Sequence, residues 1–352
     1  MKKWKSNLTK AAVSLCLLAA APNLAQAGSC DPCDPCANPC DMCCFGGFDI
    51  GADFLWWKPC VDSLDWVAER SSSTSGGTTT VAVDYKNVCP KWEPGFRVWI
   101  GKDDLICDCD FSFYASYTWI NTKENETATA TDSNTLVSTL LHSGFSTSDS
   151  FTSGSTAWDT TYQTFDVLMA HKCCCGDCFE FVPFFGVEGL FINQSFNTTL
   201  HNSAETIVGT THFDSDYSGV GLKAGTGYEW QVTDCIRLFS KASGSIVVGD
   251  QDGKGTYTYT ASSTTTEVVY ADSDCCEIVP GYHVAAGFVY DTCMCGMDMS
   301  FHIGYEFLKW YNVTNPRVFV GDNTTSEVAL STSPTTTTFG WHGLMVGMDL
   351  SF

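Results

Sequence analysis

The sequence predicts an all-β chain, an up-and-down antiparallel barrel of about ten strands set in a membrane. Three observations predict it. The first is the closing segment, Trp341 to Phe352. Leu344, Val346, Met348, Leu350 and Phe352 form an apolar row, and Gly343, Met345, Gly347, Asp349 and Ser351 form a smaller, more polar one. Successive side chains of a strand point to opposite faces, so this strand has one oily face and one wet face. The second is that nine further segments repeat the pattern. The third is a leader with no later run of about 18 apolar residues. A membrane protein without a spanning helix must close a barrel, because lipid cannot satisfy open backbone groups.

The elements follow in order. Lys2, Lys3, Lys5 and Lys10 precede the apolar run Ala11 to Ala21, and Ala25-Gln26-Ala27 is a small-x-small cleavage site. Residues 1–27 therefore read as a secretory signal peptide. A lipoprotein box at Cys30 is the weaker alternative, since it lacks the usual Leu and lies far from the apolar run. Residues 28–46 are a Cys/Pro-rich segment, and 47–352 the barrel. Its first segment sets Phe48, Ile50, Ala52, Phe54 and Trp56 against Asp49, Gly51 and Asp53. Phe96, Val98 and Ile100 alternate with Gly95, Arg97 and Trp99; Phe111 to Trp119 alternates with Ser112 to Thr118. Phe165, Val167 and Met169 oppose Thr164, Asp166 and Leu168; Phe179, Phe181, Phe185 and Val187 oppose Glu180, Gly186 and Glu188. Val220, Leu222, Ala224, Tyr228 and Trp230 oppose Gly221, Lys223, Gly225 and Glu229. Ile236 and Leu238 alternate less cleanly with Arg237 and Lys241. Tyr282 to Tyr290 and Met297 to Phe307 supply the remaining rows, with His283, Asp298, His302 and Glu306 on the polar side.

Long Ser/Thr/Asn/Gly tracts at 71–80, 121–157, 194–215, 249–266 and 312–337 read as loops, and short links lie near 101–109, 172–178, 231–235 and 291–296. Outer-membrane barrels have short periplasmic turns and long external loops. Both barrel ends and the short links are thus expected on the periplasmic side. Residues 60–70, 81–90 and 267–279 either extend strands or add a hairpin, which would make twelve strands. A soluble β-sandwich shares the alternation. Aromatic residues ending the apolar rows (Trp56, Trp119, Trp230, Phe352) and the Gly-rich opposite rows favour the barrel.

The formal charge is −22; without a leader holding four lysines and no acids, 40 acidic residues face 14 basic ones, or −26. That excludes a nucleic-acid partner, which needs a basic footprint. Of 20 cysteines, only Cys16 lies in the leader. So many thiols in an exported chain read as disulfides. Cys30, Cys33, Cys36, Cys40, Cys43 and Cys44 crowd the mature N-terminus. Cys107, Cys109, Cys173, Cys174, Cys175, Cys178, Cys235, Cys293 and Cys295 sit at the short turns, whereas Cys60, Cys89, Cys275 and Cys276 do not. The spacing C-x2-C-x2-C-x3-C at Cys30 to Cys40 also occurs in ferredoxins. Asp41 rather than Pro follows it here, and exported thiols oxidise readily, so crosslinks are favoured over a cluster or zinc.

No G-x-S-x-G, H-E-x-x-H or Walker A sequence occurs, and no enzymatic activity or cofactor is expected. The inward rows carry Asp49, Asp53, Asp166, Glu180, Glu188, Glu229, Asp298, Glu306 and Asp349 against Arg97, Lys223, Arg237 and Lys241. Those residues are the pore-lining candidates, and an acidic lumen favours cations. The alternative is a narrow barrel whose charges pair and fill it. His283 and His302 fall on the inward rows of consecutive strands, as solvated lumen residues rather than a metal pair.

The opening strand G-F-D-I-G-A-D-F-L-W-W-K-P (Gly47 to Pro59), the segment Trp92-Glu93-Pro94-Gly95-Phe96-Arg97 and the closing W-H-G-L-M-V-G-M-D-L together resemble the Legionella-type major outer membrane proteins and related porins of Chlamydia-like bacteria. The resemblance implies an abundant outer-membrane porin, often crosslinked through cysteines into an envelope lattice. Its partners would be outer-membrane lipid, small hydrophilic solutes, further copies of itself and disulfide-linked envelope proteins. The Cys/Pro-rich N-terminal run departs from the plainer start of that family. A non-conducting structural or adhesin-type barrel is the rival reading.

Overall fold

A computed structural model describes residues 47–62, 64–102, 111–131, 134–139, 151–174, 178–233, 235–261, 264–294, 297–314, 318–319, 332–333 and 336–351. The leader, the N-terminal cysteines, Cys107, Cys109, Cys175, Cys295 and Phe352 lie outside the described residues, as do the side chains of Cys174 and Cys293.

Ten strands form the wall: β1 (Phe48–Val61), β2 (Glu93–Lys102), β3 (Phe111–Thr129), β4 (Ser153–His171), β5 (Phe179–His201), β6 (Ile207–Thr233), β7 (Ile236–Ala261), β8 (Thr264–Met294), β9 (Met297–Thr314) and β10 (Thr336–Ser351). Each pairs antiparallel with its neighbour in sequence, and β10 returns to β1 with Asp49 opposite Ser351 and Val61 opposite Phe339. The sheet is therefore closed and has no edge through the membrane, as lipid requires. Every alternating segment read from the sequence lies in one of these strands.

The apolar rows face outward. Phe54, Phe185, Leu222, Ile246, Phe288 and Ile303 are all more than half exposed, which only lipid makes tolerable. On β6 the outward apolar row runs from Trp230 to Val220. At about 3.3 Å per residue and a tilt of about 40°, that row stands about 25 Å tall, the height of a hydrocarbon band.

The strands do not stop there. β5, β6, β7 and β8 hold 23, 27, 26 and 31 residues, where about 9–11 suffice to cross a bilayer. Much of the Ser/Thr-rich sequence expected in loops, 121–129, 153–157, 194–201, 207–215 and 249–261, is strand. The links 202–206 and 262–263 are correspondingly short. The reason is that Thr is β-branched and favours extended backbone, so a polar composition does not preclude pairing.

Beyond the band the faces exchange polarity. Outward positions become polar: Asn121 and Lys123 on β3, Asp159 on β4, Asn193 and Asn197 on β5, His212 and Asp216 on β6. Inward positions become apolar: Trp158, Tyr162, Ile192, Phe196, Phe213 and Tyr217 join one core at 1–4 % exposure. Water now lies outside and must be excluded inside, so this part packs as a soluble β-protein does.

The wall is tall on its β3–β8 side and low on its β9–β10–β1–β2 side. From the low side rises a hairpin, Asp65–Ser75 with Thr78–Asn87, joined by the short strand Thr135–Ser138. It is an addition to the barrel, not an eleventh and twelfth wall strand. Its turn is Gly76-Gly77 at φ +60° and +81°, left-handed values that glycine adopts without strain. Trp66, Val67 and Leu136 are buried in the core, with the Trp66 ring against the inner wall at Gly154. The hairpin thus fills the mouth of the collar.

Glu69 pins it. Its carboxylate accepts bonds from Asn134 Nδ2, Thr131 Oγ1 and the Thr131 amide at 2.8, 2.5 and 3.0 Å. Those bonds, the Asn134 amide foremost, lower the Glu69 pKa from 4.5 to about 2. The folded value lies below the ordinary one, so the docked hairpin is favoured above pH 4.5 and loses this support as pH falls through about 2. An NMR titration of the Glu69 carboxyl carbon should show a midpoint near 2, and a midpoint near 4.5 would mean the bonds do not form in solution. A second expectation concerns the lipid face. Ile303→Arg, near the middle of the band, should destabilise the inserted barrel by about 2–4 kcal/mol in denaturant unfolding from bilayers.

Candidate functional site

Within the membrane band the inward rows enclose a chamber of about 390 Å³. Ten of the thirteen lumen candidates line it: Asp53, Arg97, Asp166, Glu188, Lys223, Glu229, Arg237, Lys241, Glu306 and Asp349. The other three do not reach it. Asp49 is held by Ser351 at the barrel terminus, Glu180 sits opposite Glu229 in the register, and Asp298 is exposed opposite Ser351.

The strands place these groups by alternation, and the register then pairs them. Asp53 on β1 lies opposite Arg97 on β2, and Arg97 spans two carboxylates, Nη1 to Asp53 Oδ2 and Nη2 to Glu306 Oε2, each at 3.0 Å. His283 Nε2 meets the same Glu306 oxygen at 2.8 Å. His302 lies between Asp53, 2.8 Å from Nε2, and Asp349, 3.3 Å from Nδ1. The two histidines that the sequence placed on neighbouring rows therefore serve different carboxylates. Across the lumen Lys223 Nζ bridges Asp166 at 3.0 Å and Glu188 at 2.9 Å, and Ser245 donates to the second Glu188 oxygen. Nearer the barrel termini Arg237 binds Asp291, Nε to Oδ2 at 2.6 Å, and Glu229. Asp291 continues the inward row Gly287, Val289, so the same alternation that found Glu306 carries it too.

The expected acidic excess does not survive this geometry. The chamber lining holds six carboxylates against Arg97, Lys172, Lys223, Arg237 and Lys241, with two histidines beside them. Most of the chain's negative charge lies elsewhere. Buried charges demand such pairing, because each ion removed from water costs several kcal/mol unless an opposite charge and hydrogen bonds replace it.

An aromatic ceiling closes the chamber towards the loop end. Trp57 and Trp341 lie 6.3 Å apart between ring centres, and Tyr162 stands 6.2 Å from Trp341 and 6.1 Å from Phe339. Trp310 Nε1 donates to Tyr162 Oη at 3.3 Å. The Trp310 ring occupies the space a side chain at Gly281 would take, 2.2 Å from where its Cβ would lie, so only glycine fits opposite it. None of these rings is more than 4 % exposed. Trp57 Nε1 and Trp341 Nε1 find no acceptor among the described residues. At the other end Arg237, Glu229 and Asp291 are each about a third exposed, so the chamber is wettest there. These aromatic residues gave no sign in the sequence, because Trp56-Trp57 and Phe184-Phe185 are apolar on both faces and alternation cannot sort them.

At the terminal end Cys178 is disulfide-bonded, while Cys173 and Cys235 are free thiols. Cys60, Cys89, Cys275 and Cys276 are free and lie at the loop end.

The family model for the Legionella pneumophila major outer membrane protein precursor matches residues 38–352. No curated protein sequence matches the chain. Among solved structures, the outer membrane protease OmpT of Escherichia coli aligns over 87 % of this chain and 97 % of its own, with 9 % identity and a TM-score of 0.40. The toluene transporter TodX of Pseudomonas putida aligns over 87 % and 89 %, with 11 % identity and a TM-score of 0.32. Likenesses at this level say nothing about activity.

Removing the guanidinium that joins Asp53 to Glu306 should be costly. Arg97→Ala should lose about 3–5 kcal/mol in unfolding experiments, because two buried carboxylates lose their shared guanidinium and keep only a histidine each, and Arg97→Lys should lose less.

Proposed function

Since the chain belongs, over residues 38–352, to the family of the Legionella pneumophila major outer membrane protein, an outer-membrane barrel is its frame, and we propose that it acts there as a narrow porin with a closed resting state. The single observation that carries this reading is the chamber: a lumen lined by charged side chains at one end and shut by a dry aromatic ceiling at the other. Small hydrophilic solutes and ions would enter from the terminal end, which we assign to the periplasm. Passage requires the Trp57–Trp341–Tyr162 ceiling and the hairpin above it to yield. The two indole N–H groups without acceptors favour that step, since each gains a hydrogen bond when water enters, worth about 1 kcal/mol. The near balance of charge in the chamber supports only a weak cation preference.

A structural role accompanies this one. The free Cys173 and Cys235 and the bonded Cys178 all lie at the terminal end. The two free thiols support crosslinking to further copies or to other envelope proteins on the periplasmic side. The paired charges also favour a second reading, a non-conducting barrel that anchors a disulfide-linked shell. Neither reading involves catalysis.

Planar-bilayer conductance separates the two. The intact protein should give rare, small openings. Replacing residues 65–87 with a short Gly/Ser linker should raise the open probability at least tenfold, and Trp66→Ala should raise it by less. If neither variant nor the intact protein conducts, the barrel is structural only. A strong anion preference would overturn the assigned charge selectivity.

A further inference from the structure

The cations of the chamber are not equivalent. Arg97, Lys223 and Arg237 each bridge two carboxylates. Lys241 on β7 lines the same chamber, yet no carboxylate among the described residues lies within ion-pair distance of it. Its ammonium instead lies over the Phe184 ring, with Nζ 4.9 Å from the ring centre. A cation over an aromatic face is stabilised by the ring's quadrupole. That is a weak substitute for a counter-ion, and an ammonium in a largely enclosed space is costly without one.

The surroundings of Lys241 are aromatic. Trp99, Tyr114, Phe184 and Phe239 all contribute inward rings to the chamber lining. A volume of about 390 Å³ accommodates a single-ring molecule with a short polar group. An unpaired ammonium beside aromatic walls is complementary to an amphipathic anion, with its charged end on Lys241 and its ring among the side chains. A simple hydrated anion would leave the aromatic walls unused, and a neutral ring would leave Lys241 without a counter-ion.

We propose that the chamber binds a small aromatic monocarboxylate, with Lys241 as the partner of its carboxylate and the Phe184–Phe239 side of the wall against its ring. This deepens the porin reading, since it names a solute class for the same lumen and rests on that lumen being reachable from the terminal end.

The test is equilibrium binding to the full barrel in detergent micelles, followed by tryptophan fluorescence and by saturation-transfer NMR. The probes are benzoate, its neutral counterpart benzyl alcohol, and acetate. Benzoate should bind at least tenfold more tightly than either of the others. Lys241→Gln should weaken benzoate at least tenfold and leave benzyl alcohol within twofold, and Lys241→Arg should restore most of the benzoate affinity. The unfolding midpoint of each variant reports whether the barrel is intact. Equal binding of benzoate and acetate would reduce the site to a generic anion site and overturn the proposal. So would benzoate binding unchanged in Lys241→Gln. The same preparations are then examined in planar bilayers. A conducting barrel that fails to bind benzoate overturns this inference alone. A barrel that binds benzoate through Lys241 yet never conducts, even without the hairpin, overturns the porin reading alone.

Discussion

The boundary of the hydrocarbon layer is the constraint on which the rest of the structure depends. Each strand carries two faces of opposite polarity, and that boundary decides which must face outward. Inside the band, Phe185, Val187 and Val220 face lipid while Glu188 and Lys223 face the lumen. A few residues further along the same strands, Asn193, Asn197 and Asp216 face water while Ile192, Phe196 and Tyr217 face a core. No change of backbone is needed for this, since the ladder between β5 and β6 runs in unbroken register from Trp230↔Phe179 to Val208↔His201. The sequence alone performs the exchange.

Two consequences follow from a single wall that serves both environments. The lumen within the band is polar and narrow, so its charges must find one another, and the register brings Arg97 to Asp53 and Lys223 to Glu188. The collar outside the band is closed by apolar packing, so the barrel cannot be an open tube from end to end in this state. The aromatic ceiling of Trp57, Tyr162, Trp310 and Trp341 marks the level at which one regime gives way to the other. The Trp66 hairpin then completes a core that the wall alone, low on one side, leaves open. Function and stability therefore meet at one layer: what seals the collar also blocks the lumen.

Much of this was legible in the sequence, and the parts that were not share a cause. All ten wall segments announce themselves through period-two alternation, because a lipid-facing strand must alternate where its lumen face is polar. Asp53, Glu188 and Glu306 were readable for the same reason. The extensions of β5 to β8 were not, because Thr- and Ser-rich strands resemble loops in composition and their alternation is of the opposite sense. Phe184 and Trp57 were hidden because each adjoins an outward aromatic residue. The charge count misled for a geometric reason: Asp49, Glu180 and Asp298 alternate correctly but sit at or near the terminal rim, outside the chamber, where an inward direction carries no meaning for a solute within it.

Hydroxyl-radical footprinting of the native protein in lipid bilayers addresses the polarity exchange most directly. Phe165, Phe185 and Phe288 present 48 %, 60 % and 58 % of their surface outward, so only lipid can shield them from radicals generated in water. His212 lies on the outer face of the same wall beyond the band, and its side chain is 51 % exposed. The account predicts that the three phenylalanines stay unmodified while His212 is oxidised. Oxidation of the phenylalanines to the extent seen at His212 would mean that water, not hydrocarbon, surrounds the lower wall, and would contradict it.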